Sequence, residues 1–227
     1  MPAQSTTISF PSRSRALDAY LALPDGTEPF PGIVVIHEAY GLNDNIKDIA
    51  RRLTREGYAA LAVDLFTGQN RVVCMARLMG GALLKPLDHG GISDLKAAMD
   101  YFAAQPFVDP KRMGAIGFCL GGGLAIAWAC SDPRLKVIAP FYGANPRPLE
   151  ATRRLCPVVG SYPDPDFTTA QGKALDEFLD KTGIAHDIKI YPGSRHSFLN
   201  DQNPSTYNAA AAGDAWDRTL EFFKLQL

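Results

Sequence analysis

The residues with the clearest chemical potential are the five from Gly117 to Gly121, which read Gly-Phe-Cys-Leu-Gly. A β-like run at residues 113–116 precedes them, and an apolar, helix-like run at residues 122–130 follows them. A cysteine in a sharp, glycine-flanked turn between strand and helix matches the G-x-S-x-G nucleophile turn, with sulfur in place of oxygen. The helix N-terminus is expected to favour a thiolate. We therefore predict that Cys119 is a nucleophile, although a cysteine in such an apolar segment is often only a small buried residue.

A nucleophilic cysteine needs a base, and the base needs an orienting acid. His196 follows the last predicted strand, and Asp164 and Asp166 follow the strand before it. Because the carboxyl ends of parallel strands share one edge of a sheet, we expect Cys119 and His196 to meet there with one of the aspartates. The order nucleophile, acid, histidine is the one that accompanies this type of turn. Strand position does not separate the two aspartates, and either could instead be a turn or helix-capping residue.

The other three histidines are predicted to have structural roles. His37 adjoins Glu38 after a buried strand, but its position before the nucleophile does not fit the triad order. His89 is expected to order a loop, and His186 is expected to be exposed in a strand. No pair of histidines has the i, i+3 or i+4 spacing of metal ligands, so no metal site is predicted.

Acyl transfer also needs hydrogen-bond donors for the oxyanion that forms on the substrate. The backbone N–H of Leu120, directly after the nucleophile, is one predicted donor. A residue in the loop after the strand at 33–36 is expected to supply the other, and Ala39 is the best candidate.

The elements that must position these residues alternate between strand and helix patterns. Strands are predicted at 6–10 and 17–23, joined by a turn at 12–14, and at 33–36, 59–63, 113–116, 135–141, 157–160 and 184–191. Helices are predicted at 44–56 after a cap at Asn43 or Asp44, and at 92–104, 122–130, 169–181 and 209–225. Residues 66–91 are predicted to form a short helix and loops, as a lid or a substrate wall. The alternation predicts a single doubly wound α/β domain over residues 1–227, with a mostly parallel sheet flanked by helices.

Composition limits the classes of function. The chain has 227 residues, 46% hydrophobic and 21% charged, with a net charge of −1, which is typical of a globular domain without a nucleic-acid surface. Its four cysteines form no C-x-x-C pair, and its first ten residues lack a signal-peptide pattern, so we expect a reducing cytoplasm. Residues 113–131 are uncharged, but their five glycines favour a buried strand, turn and helix over a membrane span. A monomer or small homo-oligomer is expected.

Several segments together resemble the dienelactone hydrolase family. They are residues 37–43, 57–60 with 64–65, 117–122, and 191–193 with 196–198. The resemblance covers nearly the whole chain from Gly32 onward, and the combination is specific, whereas each segment alone is not. It implies an α/β-hydrolase fold, a Cys-His-Asp triad, no cofactor, and a small-molecule ester or lactone as substrate.

The resemblance also assigns roles to individual residues. Cys119 would be the nucleophile and His196 the base, with Asp166 as the orienting acid. Asp166 is preferred because residues 166–168 are more similar to the family's segment than the residues around Asp164 are. Glu38 is similar to the family's additional glutamate near the thiol, where a carboxylate would disfavour a free thiolate or accept its proton.

The sequence departs from the family in its expected substrate contacts. Family members that cleave dienelactone hold the substrate carboxylate with arginines, one of them four residues after the catalytic histidine, where this chain has Asn200. Arg77 is a candidate for the other arginine, and Tyr40 and Phe198 are further candidates for substrate contact. The resemblance therefore supports hydrolase chemistry better than it supports an anionic dienelactone as substrate. Thioester hydrolysis and a non-catalytic, ligand-binding or redox-sensing role are the alternatives.

Overall fold

The alternating pattern builds an eight-stranded sheet with helices on both faces, in a computed structural model that describes residues 4–13, 15–27 and 29–227. The strands are β1 (Gln4–Ser12), β2 (Arg15–Leu23), β3 (Phe30–Ile36), β4 (Ala59–Val63), β5 (Val108–Phe118), β6 (Leu135–Phe141), β7 (Val158–Asp164) and β8 (His186–Pro192). The helices are α1 (Asp44–Arg55), α2 (Arg71–Leu84), α3 (Gly90–Ala103), α4 (Leu120–Ala129), α5 (Thr169–Thr182) and α6 (Ala209–Gln226), and a short 3-10 helix covers Leu149–Arg154. Ser14, the last residue of the predicted first turn, lies outside the described residues.

The strand order places every residue of the predicted triad at one edge of the sheet. The order is β1-β2-β4-β3-β5-β6-β7-β8. Strand β2 pairs antiparallel with both of its neighbours, β1 and β4, whereas all the other neighbouring strands pair parallel. The prediction of a mostly parallel, doubly wound sheet is therefore confirmed. Since the parallel strands point the same way, the loops that follow β3, β5, β6, β7 and β8 open at a common edge.

Two layers of apolar side chains hold the helices against the sheet. One layer packs α3, α4 and α5 on one face, and the other packs α1 and α6 on the opposite face. Helix α4 is buried almost all round, which explains why residues 113–131 carry no charge. Among the described residues no helix is both long enough and apolar enough to cross a membrane.

Segment 66–91 is more regular than predicted. It contains the 14-residue helix α2, which begins after an N-cap at Asn70. Two consecutive glycines inside the helix, Gly80 and Gly81, lower its intrinsic helix propensity. For that reason the sequence predicted only a short helix in this segment. Gly81 has a packing reason, because a Cβ built there would stand 2.8 Å from the Cβ of His89, just before α3.

Candidate active site

The turn that carries Cys119 depends on glycine at both flanks. A Cβ on Gly117 would stand 2.1 Å from the carbonyl oxygen of Gly121, and a Cβ on Gly121 would stand 2.3 Å from the carbonyl oxygen of Ile36. Cys119 itself has a φ of 54°, a conformation that residues with a side chain rarely adopt. Its N–H donates to the carbonyl oxygen of Phe141 at 3.0 Å. The turn between β5 and α4 is thus strained and tightly held, as a nucleophile turn requires.

The loops after β7 and β8 bring a histidine and an aspartate together. His196 Nδ1 lies 3.1 Å and 3.2 Å from the two carboxylate oxygens of Asp166. The Asp166 carboxylate is nearly buried, and it accepts a hydrogen bond from the Thr168 N–H at 2.8 Å. A carboxylate at this position favours the tautomer with the proton on Nδ1, which leaves a lone pair on Nε2. His196 Nε2 is buried and has no hydrogen-bond partner among the described residues.

The structure separates the two aspartates that sequence position left equivalent. Asp164 is the last residue of β7, and its main-chain oxygen accepts from the Gly193 N–H at 2.7 Å. Only Asp166 of the two has a described contact with His196. A difference of two positions along the chain therefore determines which aspartate orients the histidine.

The surroundings of Cys119 favour a thiol over a thiolate. The pKa of Cys119 is raised to about 11, mainly by burial and also by the negative charges of Glu38 and Asp166. The backbone N–H groups of Leu120 and Ala39 act in the opposite direction and lower it. The helix N-terminus acts in the expected direction through the Leu120 N–H, but burial and two negative charges outweigh it, so the resting group is a thiol. The two N–H groups that act on the sulfur are the predicted oxyanion donors.

Glu38 is buried beside the nucleophile, in contact with the side chains of Ser197 and Tyr142. Its Oε1 accepts a hydrogen bond from the Ser197 hydroxyl at 2.7 Å, whereas its Oε2 is buried without a partner among the described residues. Tyr142 is fully buried, and its burial, together with the charge of Glu38, raises the pKa of its phenol well above the usual value. Tyr142 is therefore a neutral phenol at any physiological pH.

His37 is fully occupied by main-chain contacts. Its Nδ1 donates to the carbonyl oxygen of Glu38 at 2.6 Å, and its Nε2 accepts from the Leu65 N–H at 3.1 Å. Burial lowers the pKa of His37, so the ring is neutral. This arrangement matches the predicted structural role and anchors the loop that carries Glu38 and Ala39. His186 differs from its prediction, because its side chain is only 14% exposed and its Nδ1 contacts the Ile184 carbonyl oxygen.

Sequence reasoning missed Tyr142 and Ser197 as parts of this site. Both have positive φ angles, 43° and 64°, which is uncommon for residues with side chains. The Tyr142 ring lies 4.9 Å from the His196 ring between centroids, and the Phe167 ring stacks on His196 at 4.8 Å. Tyr142 follows β6 as Cys119 follows β5, and that position after a buried strand was the available signal.

A cavity of about 670 Å³ opens beside Cys119. Ala39, Leu120 and Phe167 line it near the sulfur. Segment 66–91 forms much of its wall, and its role as a substrate wall stays a prediction. The apolar lining includes Met75, Met79, Leu83, Pro86, Leu124, Ala127 and Pro146, and the polar lining includes His89, Asn145 and Arg147. A mostly apolar cavity with few polar groups is typical of a small-molecule site.

The residues predicted to contact substrate do not line this cavity. Arg77 donates to the Gln69 side chain at 3.1 Å and lines a separate cavity of about 470 Å³. Tyr40 is 63% exposed, and Phe198 is fully buried in the core, where it packs on Tyr142. Asn200 is held in a turn through its N–H and the Ser197 carbonyl oxygen. These positions give no support to the expected substrate contacts of Arg77, Tyr40 and Phe198.

Comparison with known proteins agrees with this geometry. The sequence pattern described as "Dienelactone hydrolase family" matches residues 17–227. The chain is 34% identical to a protein of Saccharolobus solfataricus named "Putative carboxymethylenebutenolidase", over 96% of this chain and 97% of the relative. It is 31% identical to a protein of the same name from Synechocystis sp., over 99% and 98% of the two chains. A Klebsiella pneumoniae crystal structure titled as a "Putative Dienelactone Hydrolase" matches with a TM-score of 0.85 and 27% identity, over 98% of each chain.

The family pattern covers most of the chain, and the relatives align over nearly their whole length. The resemblance noted in the sequence is confirmed, and so is the α/β-hydrolase fold. This chain is a hydrolase that belongs to the dienelactone hydrolase family.

Proposed function

We propose that this hydrolase cleaves carboxylic esters and lactones, with Cys119 as nucleophile, His196 as base and Asp166 as orienting acid. One observation carries the proposal: His196 Nδ1 faces both oxygens of Asp166 at 3.1 and 3.2 Å, which leaves the buried Nε2 as the basic nitrogen. The strained turn at Cys119 supports the same assignment. The name of the relatives, carboxymethylenebutenolidase, denotes hydrolysis of a lactone.

Acylation starts from the thiol that the raised pKa of Cys119 implies. His196 Nε2 takes the thiol proton as the sulfur forms a bond to the substrate carbonyl carbon. The carbonyl oxygen becomes an oxyanion, and the N–H groups of Leu120 and Ala39 donate hydrogen bonds to it. The intermediate then breaks its bond to the alcohol oxygen, which receives the proton from His196. A thioester on Cys119 remains, and in a lactone the released hydroxyl stays attached to it.

Deacylation repeats these steps with water as the nucleophile and the Cys119 sulfur as the leaving group. A water molecule gives a proton to His196 as its oxygen attacks the thioester carbonyl, and the same two N–H groups stabilise the second oxyanion. The carbon–sulfur bond breaks, the sulfur recovers the proton, and the carboxylic acid leaves. The Asp166 carboxylate, which faces His196 Nδ1, stabilises the imidazolium that forms at each stage.

The redox-sensing alternative is disfavoured by the electrostatics of the thiol. A redox-sensing cysteine has a low pKa and a thiolate at neutral pH. Burial holds the pKa of Cys119 near 11, which opposes that role. All four cysteines are free thiols, which fits the proposed reducing, cytoplasmic setting.

The experiment compares hydrolysis of p-nitrophenyl acetate by the wild type, Cys119→Ala and Cys156→Ala. Cys156 does not line the cavity, so its variant is the matched control for removal of a thiol. We expect activity in the wild type and in the control, none above background in Cys119→Ala, and an acetyl group trapped on the Cys119 peptide by mass spectrometry. Equal rates in wild type and Cys119→Ala would refute the proposal. A panel of lactones with and without a carboxylate would then define the substrate.

A further inference from the structure

A second cavity, of about 470 Å³, lies apart from Cys119 and has three arginines in its wall. It is enclosed by the turn between β1 and β2, the loop after β4, helix α2 and the start of α3. Among the described residues none lines both this cavity and the cavity of Cys119. The proposed hydrolysis uses no group of the second cavity, so its arginines need a separate explanation.

Two of these arginines carry a positive charge that no described carboxylate neutralises. Arg77 Nη1 donates to the uncharged side-chain oxygen of Gln69 at 3.1 Å. Arg13 Nη2 donates to the Ser93 hydroxyl, and its Nη1 stands 3.9 Å from the position that a Cβ would take on Gly90. Gln69 and Gly90 line the second cavity themselves, so both guanidinium groups lie at its wall.

The third arginine is already neutralised by the aspartate of the lining. Arg15 Nη2 donates to Asp94 Oδ2 at 2.6 Å, and its Nη1 donates to the Thr67 carbonyl oxygen at 2.9 Å. The Asp94 carboxylate is nearly buried, and its other oxygen accepts from the Ser12 hydroxyl at 2.6 Å. Three arginines against one aspartate leave the described lining with an excess of two positive charges, in a protein whose net charge is −1.

The start of α3 adds main-chain donors to the same wall. The helix begins after His89, whose Nδ1 accepts from the Gly91 N–H at 3.2 Å, and its first turn contains no acidic residue. Gly90 and Gly91 line the cavity without side chains. A helix N-terminus favours a nearby anion, so it acts in the same direction as the arginines. Leu65 and Leu78 make another part of the wall apolar.

We propose that the second cavity binds a small organic phosphate monoester through Arg13 and Arg77. At neutral pH such a phosphate carries nearly two negative charges, which match the excess positive charge of the lining. Its terminal oxygens accept hydrogen bonds from guanidinium groups, whose planar forks fit phosphate. The cavity volume is typical of a small-molecule site, and Leu65 and Leu78 offer apolar contacts to the organic part. The inference goes beyond the proposed ester hydrolysis and does not depend on it.

The test measures binding of two probes, phenyl phosphate and phenyl sulfate, by isothermal titration calorimetry at neutral pH. The two probes have nearly the same shape, but the sulfate carries a single negative charge. The variants are Arg13→Gln and Arg77→Gln, each of which removes one exposed guanidinium group from the second cavity. The matched control is Arg55→Gln, since Arg55 is also exposed but lies in the last turn of α1, on the opposite face of the sheet.

We expect phenyl phosphate to bind the wild type with a Kd of about 1 mM or below, and phenyl sulfate to bind about fivefold more weakly. Each cavity variant should weaken phenyl phosphate binding about tenfold, because a hydrogen bond between charged groups is lost, and the control should not. No saturable binding, an equal Kd for the two probes, or a Kd that either cavity variant leaves unchanged would overturn the proposal. Failure of ester hydrolysis would refute only the proposed function.

A second measurement locates the bound phosphate without any variant. In the ¹⁵N-labelled wild type, we expect phenyl phosphate to shift the amide signals of Gly90 and Gly91 more than those of Ala39 and Leu120. The first two residues line the second cavity, and the other two line the cavity of Cys119. Shifts of Ala39 and Leu120 that equal or exceed those of the two glycines would place the phosphate at the active site and contradict the inference.

Discussion

Replacing Glu38 by glutamine should make the Cys119 thiol more acidic. The pKa of Cys119 lies at about 11, against an ordinary value of 9.0, and the difference corresponds to about 2.7 kcal/mol. Burial is the largest cause and would remain in the variant, whereas the negative charge of Glu38 would be removed. We therefore expect the pKa of Cys119 to fall by about one unit, which is about 1.4 kcal/mol. The thiolate fraction at neutral pH then rises about tenfold.

The assay is the rate of alkylation by iodoacetamide as a function of pH. Mass spectrometry of the Cys119 peptide separates this thiol from the other three cysteines. The control is Glu56→Gln, since Glu56 also loses a negative charge but lies at the surface, 3.9 Å from Lys224. At pH 7.5 we expect alkylation of Glu38→Gln to be about tenfold faster than that of the wild type, and the control to be unchanged.

An unchanged alkylation profile in Glu38→Gln would refute this reasoning. It would mean that burial alone sets the pKa of Cys119 and that the carboxylate is screened from the sulfur. Glutamine keeps an oxygen that can accept the hydrogen bond from the Ser197 hydroxyl. Loss of that hydrogen bond would therefore not explain an unchanged alkylation profile. A shift of the same size in the Glu56 control would point to the net charge of the protein instead of the local carboxylate.

Three further predictions concern the acid, the turn and the buried histidine. Asp166→Asn should lower kcat for p-nitrophenyl acetate by about 10³- to 10⁴-fold, because the histidine loses its orienting charge, whereas Asp164→Asn should change it little. Gly121→Ala should cost about 3 kcal/mol in urea unfolding, because its Cβ would stand 2.3 Å from a main-chain oxygen, whereas Gly213→Ala, with free space around it in α6, should be neutral or stabilising. The free energy of unfolding should decrease from pH 7.5 to 5.5, since the pKa of His37 is lowered in the folded state and the unfolded state takes up the proton first.

Each of these predictions has a distinct contradicting result. Equal losses in the two aspartate variants would mean that the loop as a whole, and not one carboxylate, supports the histidine. Equal stability of the two glycine variants would show that the turn can relax. A free energy of unfolding that rises toward pH 5.5 would show that the buried histidine takes up its proton more readily in the folded state.

The placement of the triad elements was predictable because it follows from local patterns and one topological rule. The strands at 59–63 and 135–141 have the bounds that their β-branched and apolar runs predict. The carboxyl ends of parallel strands lie at one edge, so residues after β5, β7 and β8 had to come together. The choice between Asp164 and Asp166 was beyond that rule, because it depends on how the loop turns after β7. Only the family resemblance favoured Asp166 at the level of sequence.

The protonation state of the thiol could not be predicted in the same way. The helix N-terminus next to Cys119 is visible in the local sequence, and it favours a thiolate. The opposing influences come from Glu38 after β3 and Asp166 after β7, and from the burial that the whole assembly creates. These residues are far apart in sequence, so their combined effect on the sulfur exists only once the sheet is formed.

The same distinction explains why the sequence predicted the chemistry better than the substrate. The sheet fixes the main-chain positions of the reacting groups, so a motif and a strand end are enough to place them. Much of the cavity wall comes instead from α2 and the loop before α3, where no strand register fixes which side chains face inward. Arg77 and Met79 are two residues apart on α2, yet one lines the separate cavity and the other lines the cavity of Cys119. The phase of α2, which could not be assigned from the sequence in a segment with two consecutive glycines, therefore decides whether α2 presents a cation or an apolar side chain to the cavity of Cys119.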